Sequence, residues 1–154
     1  MLREEGVSGS KAAAPWYADG LQFACTQCGN CCSGAPGYVW VSPDEIDRIA
    51  GYRALAPADF ARRHVRRVGM RHSLLERADG DCEFLERLAD GKTRCTIHPV
   101  RPVQCRTWPF WKSNLESREA WAEVAQDCPG MNKGPHFPLP VIQAAVHENG
   151  RRPL

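Results

Sequence analysis

Residues 23–32 read FACTQCGNCC, placing Cys25, Cys28, Cys31 and Cys32 close together in one short run. Cys25 and Cys28 form a C-x2-C step followed at once by Gly29. Such a loop can turn its backbone amides toward two thiolates, and a glycine after the second cysteine accommodates the left-handed backbone this requires. Cys31 repeats the interval, so Cys25, Cys28 and Cys31 can converge on one centre, much as the first three ligands of a ferredoxin-type run do. Cys32 alters that count. Adjacent side chains usually diverge, so one tetrahedral ion takes both Cys31 and Cys32 awkwardly, whereas two neighbouring centres, or a cluster, share them.

The chain has 154 residues and eight cysteines, the other four being Cys82, Cys95, Cys105 and Cys128. Four early and four late sulfurs suit two four-coordinate sites, or one 4Fe-4S cluster with one Zn2+. The opening MLREEGVSGSKAAAPWYADG has no apolar run of signal-peptide length. No later window approaches the roughly 18 unbroken apolar residues of a membrane helix. A cytoplasmic chain without a membrane partner is therefore expected, and there thiols stay reduced and are better read as metal ligands than as disulfides. A buried small hydrophobe is the competing explanation for each late cysteine, and it weighs most at Cys128.

Working outward, residues 1–20 are rich in Gly, Ala and Ser and read as a flexible N-terminal arm, with a short docking segment at Pro15, Trp16 and Tyr17. Residues 21–133 form the cysteine-cluster domain and 134–154 a C-terminal tail. SGAPG at 33–37 is turn chemistry and YVWV at 38–41 a short strand. Ser42, Pro43 and Glu45 compose a helix start with a capping box, and Gly51 is the expected C-cap. A second helix is expected from about Pro57 to Val68. Asp79-Gly80 and Asp90-Gly91 are tight-turn dipeptides between SLLERA, CEFLERL and TRCTI, which together read as an antiparallel meander. Pro99, Pro102 and Pro109 restrict the next segment to short helical turns. GPHFPLP from Gly134 argues against regular structure, and AAVHENGRRPL reads as a tail or a single helix. The fold class is a small, metal-stabilised α+β single domain.

Composition bounds the partners. With 43% hydrophobic and 25% charged residues the chain fits one modest domain, and a net charge of +2 is too mild to imply a nucleic-acid or membrane protein by itself. The stretch RRHVRRVGMRH, residues 62–72, is a local exception, with Arg62, Arg63, Arg66, Arg67 and Arg71. A solvated helix face is the commoner meaning of such a run, so nucleic acid ranks below a metal ion or cluster and below a protein partner. There is no glycine-rich nucleotide loop, no HExxH helix and no nucleophile elbow, and His64, His72, His136 and His147 sit in contexts offering no acid–base partner. The balance leans against an enzyme.

The ordered succession FACTQCGNCC, VSPDEI, CEFL and CTIHPVRPVQCRTWPF resembles the CxxCxxCC or YkgJ-type cysteine-cluster family, a zinc- or iron-chelating domain, over roughly residues 23–128. The resemblance implies metal chelation by Cys25, Cys28, Cys31, Cys32, Cys82, Cys95 and Cys105, with Arg101, Pro102 and Arg106 supporting the ligands. One branch resembles flagellin lysine methylases, which makes iron–sulfur redox or methyl transfer the alternative function. A metal-stabilised nucleic-acid-binding module is a third. His98 stands where the family often has tyrosine, and replacement of an aromatic filler is favoured over ligation. Arg94, Arg101 and Arg106 flank Cys95 and Cys105 and can offset thiolate charge. Trp108, Phe110 and Trp111 can screen a site from water, although such rings are more often core.

Overall fold

The most legible local signal in the sequence is obeyed at Ser42. Its hydroxyl accepts from the Glu45 N–H at 3.2 Å and Glu45 Oε2 accepts from the Ser42 N–H at 2.9 Å, opening helix α1, Pro43–Tyr52. In the computed structural model, which describes residues 12–33 and 37–150, Ile46, Ile49 and Ala50 form the buried face of α1. Gly51 is not the C-cap. The helix runs on to Arg53, then closes by Ala54 N–H to Gly51 O at 3.1 Å and Leu55 N–H to Ala50 O at 2.9 Å, with Ala54 at φ 54°. Leu55 packs on the core, and that apolar anchor, rather than a glycine, sets the end.

Helix α2, Pro57–His64, is shorter than expected, because Val65–Val68 is a strand. The reason lies in the next two residues. Gly69 at φ 62° and Met70 make a tight hairpin turn with glycine at its first position, and this pairs Val65–Val68 with Arg71–Leu74. Of the strands taken in chain order, β1 is Leu21–Phe23, β2 Val39–Val41, β3 Val65–Val68 and β4 Arg71–Leu74. Strands β2, β4 and β3 form an antiparallel sheet in that order, with Val39, Leu74 and Val65 in register on its inner face. The expected meander is thus divided. β5, Leu85–Arg87, and β6, Thr93–Cys95, are a separate hairpin, while a bridge from Glu76 to Cys82 closes the Asp79-Gly80 turn.

The first core contains Ile49, Phe60, Leu74, Phe84 and Ile97. Fully burying side chains of this size contributes roughly 1.5–3 kcal/mol each. After the short helix α3, Val103–Arg106, comes a second core around Phe110, Leu115, Trp121, Met131 and Ile142. Trp121 belongs to α4, Arg118–Asp127, a helix the sequence reading overlooked although Ser117 caps it, accepting from Ala120 N–H at 3.0 Å. Trp16 and Tyr17 dock on this core, and Trp16 Nε1–H donates to Leu115 O at 2.8 Å. The rest of the proposed arm, residues 1–11, lies outside the described residues, as do 34–36 of the SGAPG turn and 151–154 of the tail.

Residues 131–137 form β7, Met131–Phe137, antiparallel to β1, despite Gly134 and Pro135. A bulge in β7 explains the tolerance: the ladder pairs the consecutive Gln22 and Phe23 with His136 and Met131, so residues 132–135, the proline among them, lie in the unpaired interval. Helix α5, Leu139–Gly150, then returns Ile142 to the second core, fully buried. None of the described helices is long and apolar enough to cross a membrane.

Candidate metal centre

The CTQCG segment adopts a turn that folds an amide onto sulfur. Gln27 N–H points at Cys25 Sγ at 3.4 Å, with Gln27 at φ 59° and Gly29 at φ 78°. The left-handed glycine anticipated from sequence is therefore present, and it has a second reason for lacking a side chain. A Cβ on Gly29 would stand 2.8 Å from Thr93 Cγ2 and 2.9 Å from Thr93 Oγ1. Thr93 clasps the turn, its N–H and its hydroxyl both donating to Gln27 O, at 2.9 and 2.8 Å. Side chains two apart on a strand share a face, so the clasp sets Cys95 of β6 toward the same turn.

After Gly29 the chain makes a 3-10 turn, Asn30–Cys32, with Cys32 N–H on Gly29 O at 3.0 Å. Cys32 O accepts from Cys82 N–H at 2.7 Å, which brings a late cysteine beside the opening run. The adjacent sulfurs do not diverge as expected: Cys31 Sγ and Cys32 Sγ are 3.8 Å apart. The 3-10 turn tilts both toward one side. Tetrahedral zinc with Zn–S near 2.3 Å sets its sulfurs about 3.8 Å apart, so this pair can face one ion as readily as two.

Cys105 arrives on α3, which is held from two directions. Glu45 Oε1, already spent as a cap on its other oxygen, accepts from Val103 N–H at 2.7 Å. Gln104 bridges to β2, accepting from Trp40 N–H at 3.0 Å and donating to Tyr38 O at 2.8 Å. Neither positioning residue was singled out from sequence for this role. Glu45 was visible only as a local cap, and Gln104 carried no signal.

Electrostatics marks Cys31, Cys32, Cys82, Cys95 and Cys105 as one group. The contact from Cys32 holds the Cys31 thiol down to about 7, with a smaller lowering by Arg101, and the same contact pushes Cys32 up. Burial raises Cys82 and Cys95. Burial also pushes Cys105 up, and the neighbouring Cys82, Cys31 and Cys95 add to it. These thiols repel one another as thiolates. A cation among them would reverse that penalty.

Cys128 comes from the other direction. Phe23 pairs with Met131, Ala24 N–H donates to Gly130 O at 3.0 Å, and Asn30 Nδ2 donates to Asp127 O at 2.7 Å. Together they fold the loop after α4 over the opening run, where Cys25, Cys28, Cys31 and Cys128 line a cavity of about 250 Å³ walled by Phe23 and Trp108. Cys82 and Cys95 pack on the first core and Cys128 on the second. All eight cysteines are free thiols. They are grouped without being closed: among the described residues no three Cys, His, Asp or Glu side chains converge at ligating distance on one point. The candidate donors are nonetheless all cysteine sulfur, which fits a soft or borderline cation.

The surrounding residues divide unequally. Arg101 lies close enough to lower the thiols of Cys31, Cys95 and Cys105. Arg106 instead pairs with Glu148 of α5 at 3.0 Å and donates to Arg101 O, and Arg94 pairs with Glu86 across the β5–β6 hairpin. Phe110 belongs to the second core, and Trp111 donates to Gln104 O at 2.9 Å. His98 opens an exposed 3-10 turn, where desolvation and then Arg101 hold its imidazole below the ordinary value. His64 corrects an expectation: it has a carboxylate partner, with Nδ1 2.9 Å from Glu83 Oε1, and its ring sits against Phe60 and Phe84.

Widely separated segments thus group the sulfurs of a cysteine-cluster domain. The chain belongs to the CxxCxxCC family, whose model, described as "Putative zinc- or iron-chelating domain", matches residues 24–129. It is also similar to an uncharacterized protein of Methanocaldococcus jannaschii, 35% identical over 95 residues, which are 61% of this chain and 48% of that protein. The chain thus spans about half the length of that relative. No solved structure matches it.

Proposed function

We propose that this chain is a metal-chelating cysteine-cluster protein with two adjacent four-sulfur centres. Cys25, Cys28, Cys31 and Cys128 make one, and Cys32, Cys82, Cys95 and Cys105 make the other. The observation that carries this reading is the cavity lined by Cys25, Cys28, Cys31 and Cys128; beside it Cys82 and Cys105 raise the Cys32 thiol, Cys82 and Cys95 raise that of Cys105, and Cys31, which also raises Cys32 and Cys105, stands between the two sets. The Cys31–Cys32 peptide joins the centres, and its two close sulfurs let one residue serve each. This assignment mixes early and late cysteines, unlike a split by position along the chain.

Zn2+ or a 4Fe-4S cluster satisfies either set, and when bound it supplies charge compensation and cross-linking. The chain's own residues do the rest. Gly29 and Thr93 hold the CTQCG turn, Glu45 and Gln104 aim α3, and Trp108 excludes water. Four thiolates around a divalent ion carry a net charge near −2, and Arg101 offsets part of it. Metal binding of this type contributes on the order of 10 kcal/mol of folding free energy. The centres are therefore structural or cluster-carrying, and the reading carries with it a reducing, cytoplasmic environment in which thiolates persist.

Elemental analysis and visible absorption of anaerobically purified full chain test this. Two centres per chain are expected, with absorbance bleached by dithionite marking iron and a colourless preparation marking zinc. The double variants Cys25→Ser/Cys128→Ser and Cys82→Ser/Cys105→Ser should each lose one centre and retain the other. A single centre lost equally from both variants, or a metal-free chain that is fully folded, overturns the proposal.

A further inference from the structure

The outer face of the β2–β4–β3 sheet carries chemistry that metal chelation does not use. Trp40, Ser73 and Arg66 are in register across the three strands, so their side chains share the face opposite Val39, Leu74 and Val65. Tyr38 and Arg71, each two residues along, fall on that same side. There Tyr38 and Trp40 stack with ring centroids 4.6 Å apart and planes at 18°. Arg66 lies over the Tyr38 ring at 4.9 Å and Arg71 over the Trp40 ring at 4.1 Å. Tyr38 is 47% exposed. Strand β3, which was expected to be helix, is what turns Arg66 onto this face.

The charge around the rings is almost uncompensated. Arg62 pairs with Asp59, but among the described residues no carboxylate pairs with Arg63, Arg66, Arg67 or Arg71. Arg66 and Arg67 donate only to backbone carbonyls, of Gly37 and Gly69. Arg66 and Arg71 on this face, with the exposed Arg63 and Arg67 close by in sequence, form a local field in a molecule of net charge +2 that a polyanion would satisfy. The aromatic ladder selects among polyanions. An acidic peptide uses the charge and leaves the rings idle, and a duplex hides its base faces, whereas a single strand offers both phosphates and flat bases.

We propose that this sheet face binds single-stranded nucleic acid, with bases stacking at Tyr38 and its guanidinium-capped neighbours and phosphates held by Arg66 and Arg71. The test uses the full-length, metal-loaded chain and fluorescence anisotropy with an oligo-uridine of about 12 nucleotides, a duplex of equal length and a poly-glutamate peptide. Binding of the single strand is expected, with log Kd against log salt having a slope of about 1.4, from about 0.7 per neutralised phosphate. Arg71→Ser should lower the slope by about 0.7. Tyr38→Ala should weaken binding about tenfold while Tyr38→Phe does not, with unchanged circular dichroism in both. No binding at low salt refutes the proposal, and so does peptide or duplex binding equal to that of the single strand. Tyr38→Ala binding like wild type refutes it as well.

Discussion

Gly29→Ala is the sharpest probe of how the fold positions sulfur. Gly29 sits at φ 78°, where an alanine costs roughly 1–2 kcal/mol relative to ordinary backbone. The new Cβ would also lie 2.8 Å from Thr93 Cγ2, so Thr93 must move, and its hydroxyl bond to Gln27 O, now 2.8 Å, is lost. A hydrogen bond of this kind contributes about 1 kcal/mol, bringing the sum to about 2–3 kcal/mol. A metal-free turn can relax and a metal-bound one cannot, so the cost should appear as affinity, about 30- to 150-fold weaker at 1.4 kcal/mol per decade. Competition against a chromophoric chelator measures it. Gly91→Ala is the control, since Gly91 has φ 84° but nothing within 4 Å of its would-be Cβ. It should lose about 1 kcal/mol of stability and no metal affinity. Equal affinity in Gly29→Ala and wild type would show that the Thr93 clasp does not position the ligands.

Other consequences follow from the same geometry. Arg101→Ala should release metal faster and raise the pH of half-release, because it removes the cation that lowers Cys31, Cys95 and Cys105; Arg106→Ala, committed to Glu148, should release it at the wild-type rate, as read by stopped-flow chelation. Metal-free protein should lose stability as pH rises above about 8.5, the ordinary thiol value, because Cys82, Cys95 and Cys105 are raised in the fold and bind more protons there than in the unfolded chain. Cys31, lowered to about 7, contributes the opposite sign and loses its part as pH falls through that value. Metal-loaded protein should instead gain with rising pH, since binding expels protons, and urea midpoints across pH 6–10 in both forms would expose a wrong sign. Phe60→Ala, at a residue with 0% exposure, should cost about 3–5 kcal/mol by urea unfolding while the folded fraction keeps its full metal content.

Local chemistry was readable without coordinates wherever a few neighbouring residues suffice. The Ser42–Glu45 cap, the two Asp-Gly turns and the left-handed glycine of CTQCG each depend on contacts within about four positions, and each stands as read. Where a distant partner decides, local reading failed. Gly134-Pro135 lies inside a strand because the β1–β7 ladder skips residues 132–135 of β7 and so spares the proline, whereas Val65–Val68 is strand through the adjacent Gly69-Met70 hairpin, a short-range signal that the helical pattern masked. α4 was overlooked although its cap is local, so that omission has no tertiary excuse.

The amino-acid sequence alone determined that this is a cysteine-cluster chain: residue type, the three-residue spacing and the family likeness are all one-dimensional properties. Only the tertiary structure decided which sulfurs meet. Cys128 joins Cys25 and Cys28 because β1 pairs with β7, and Cys82 reaches Cys32 through a backbone bond between segments fifty residues apart. Spacing fixes the reach of neighbours along the chain, but convergence of remote thiols depends on which cores close over them, a free energy summed over the whole fold.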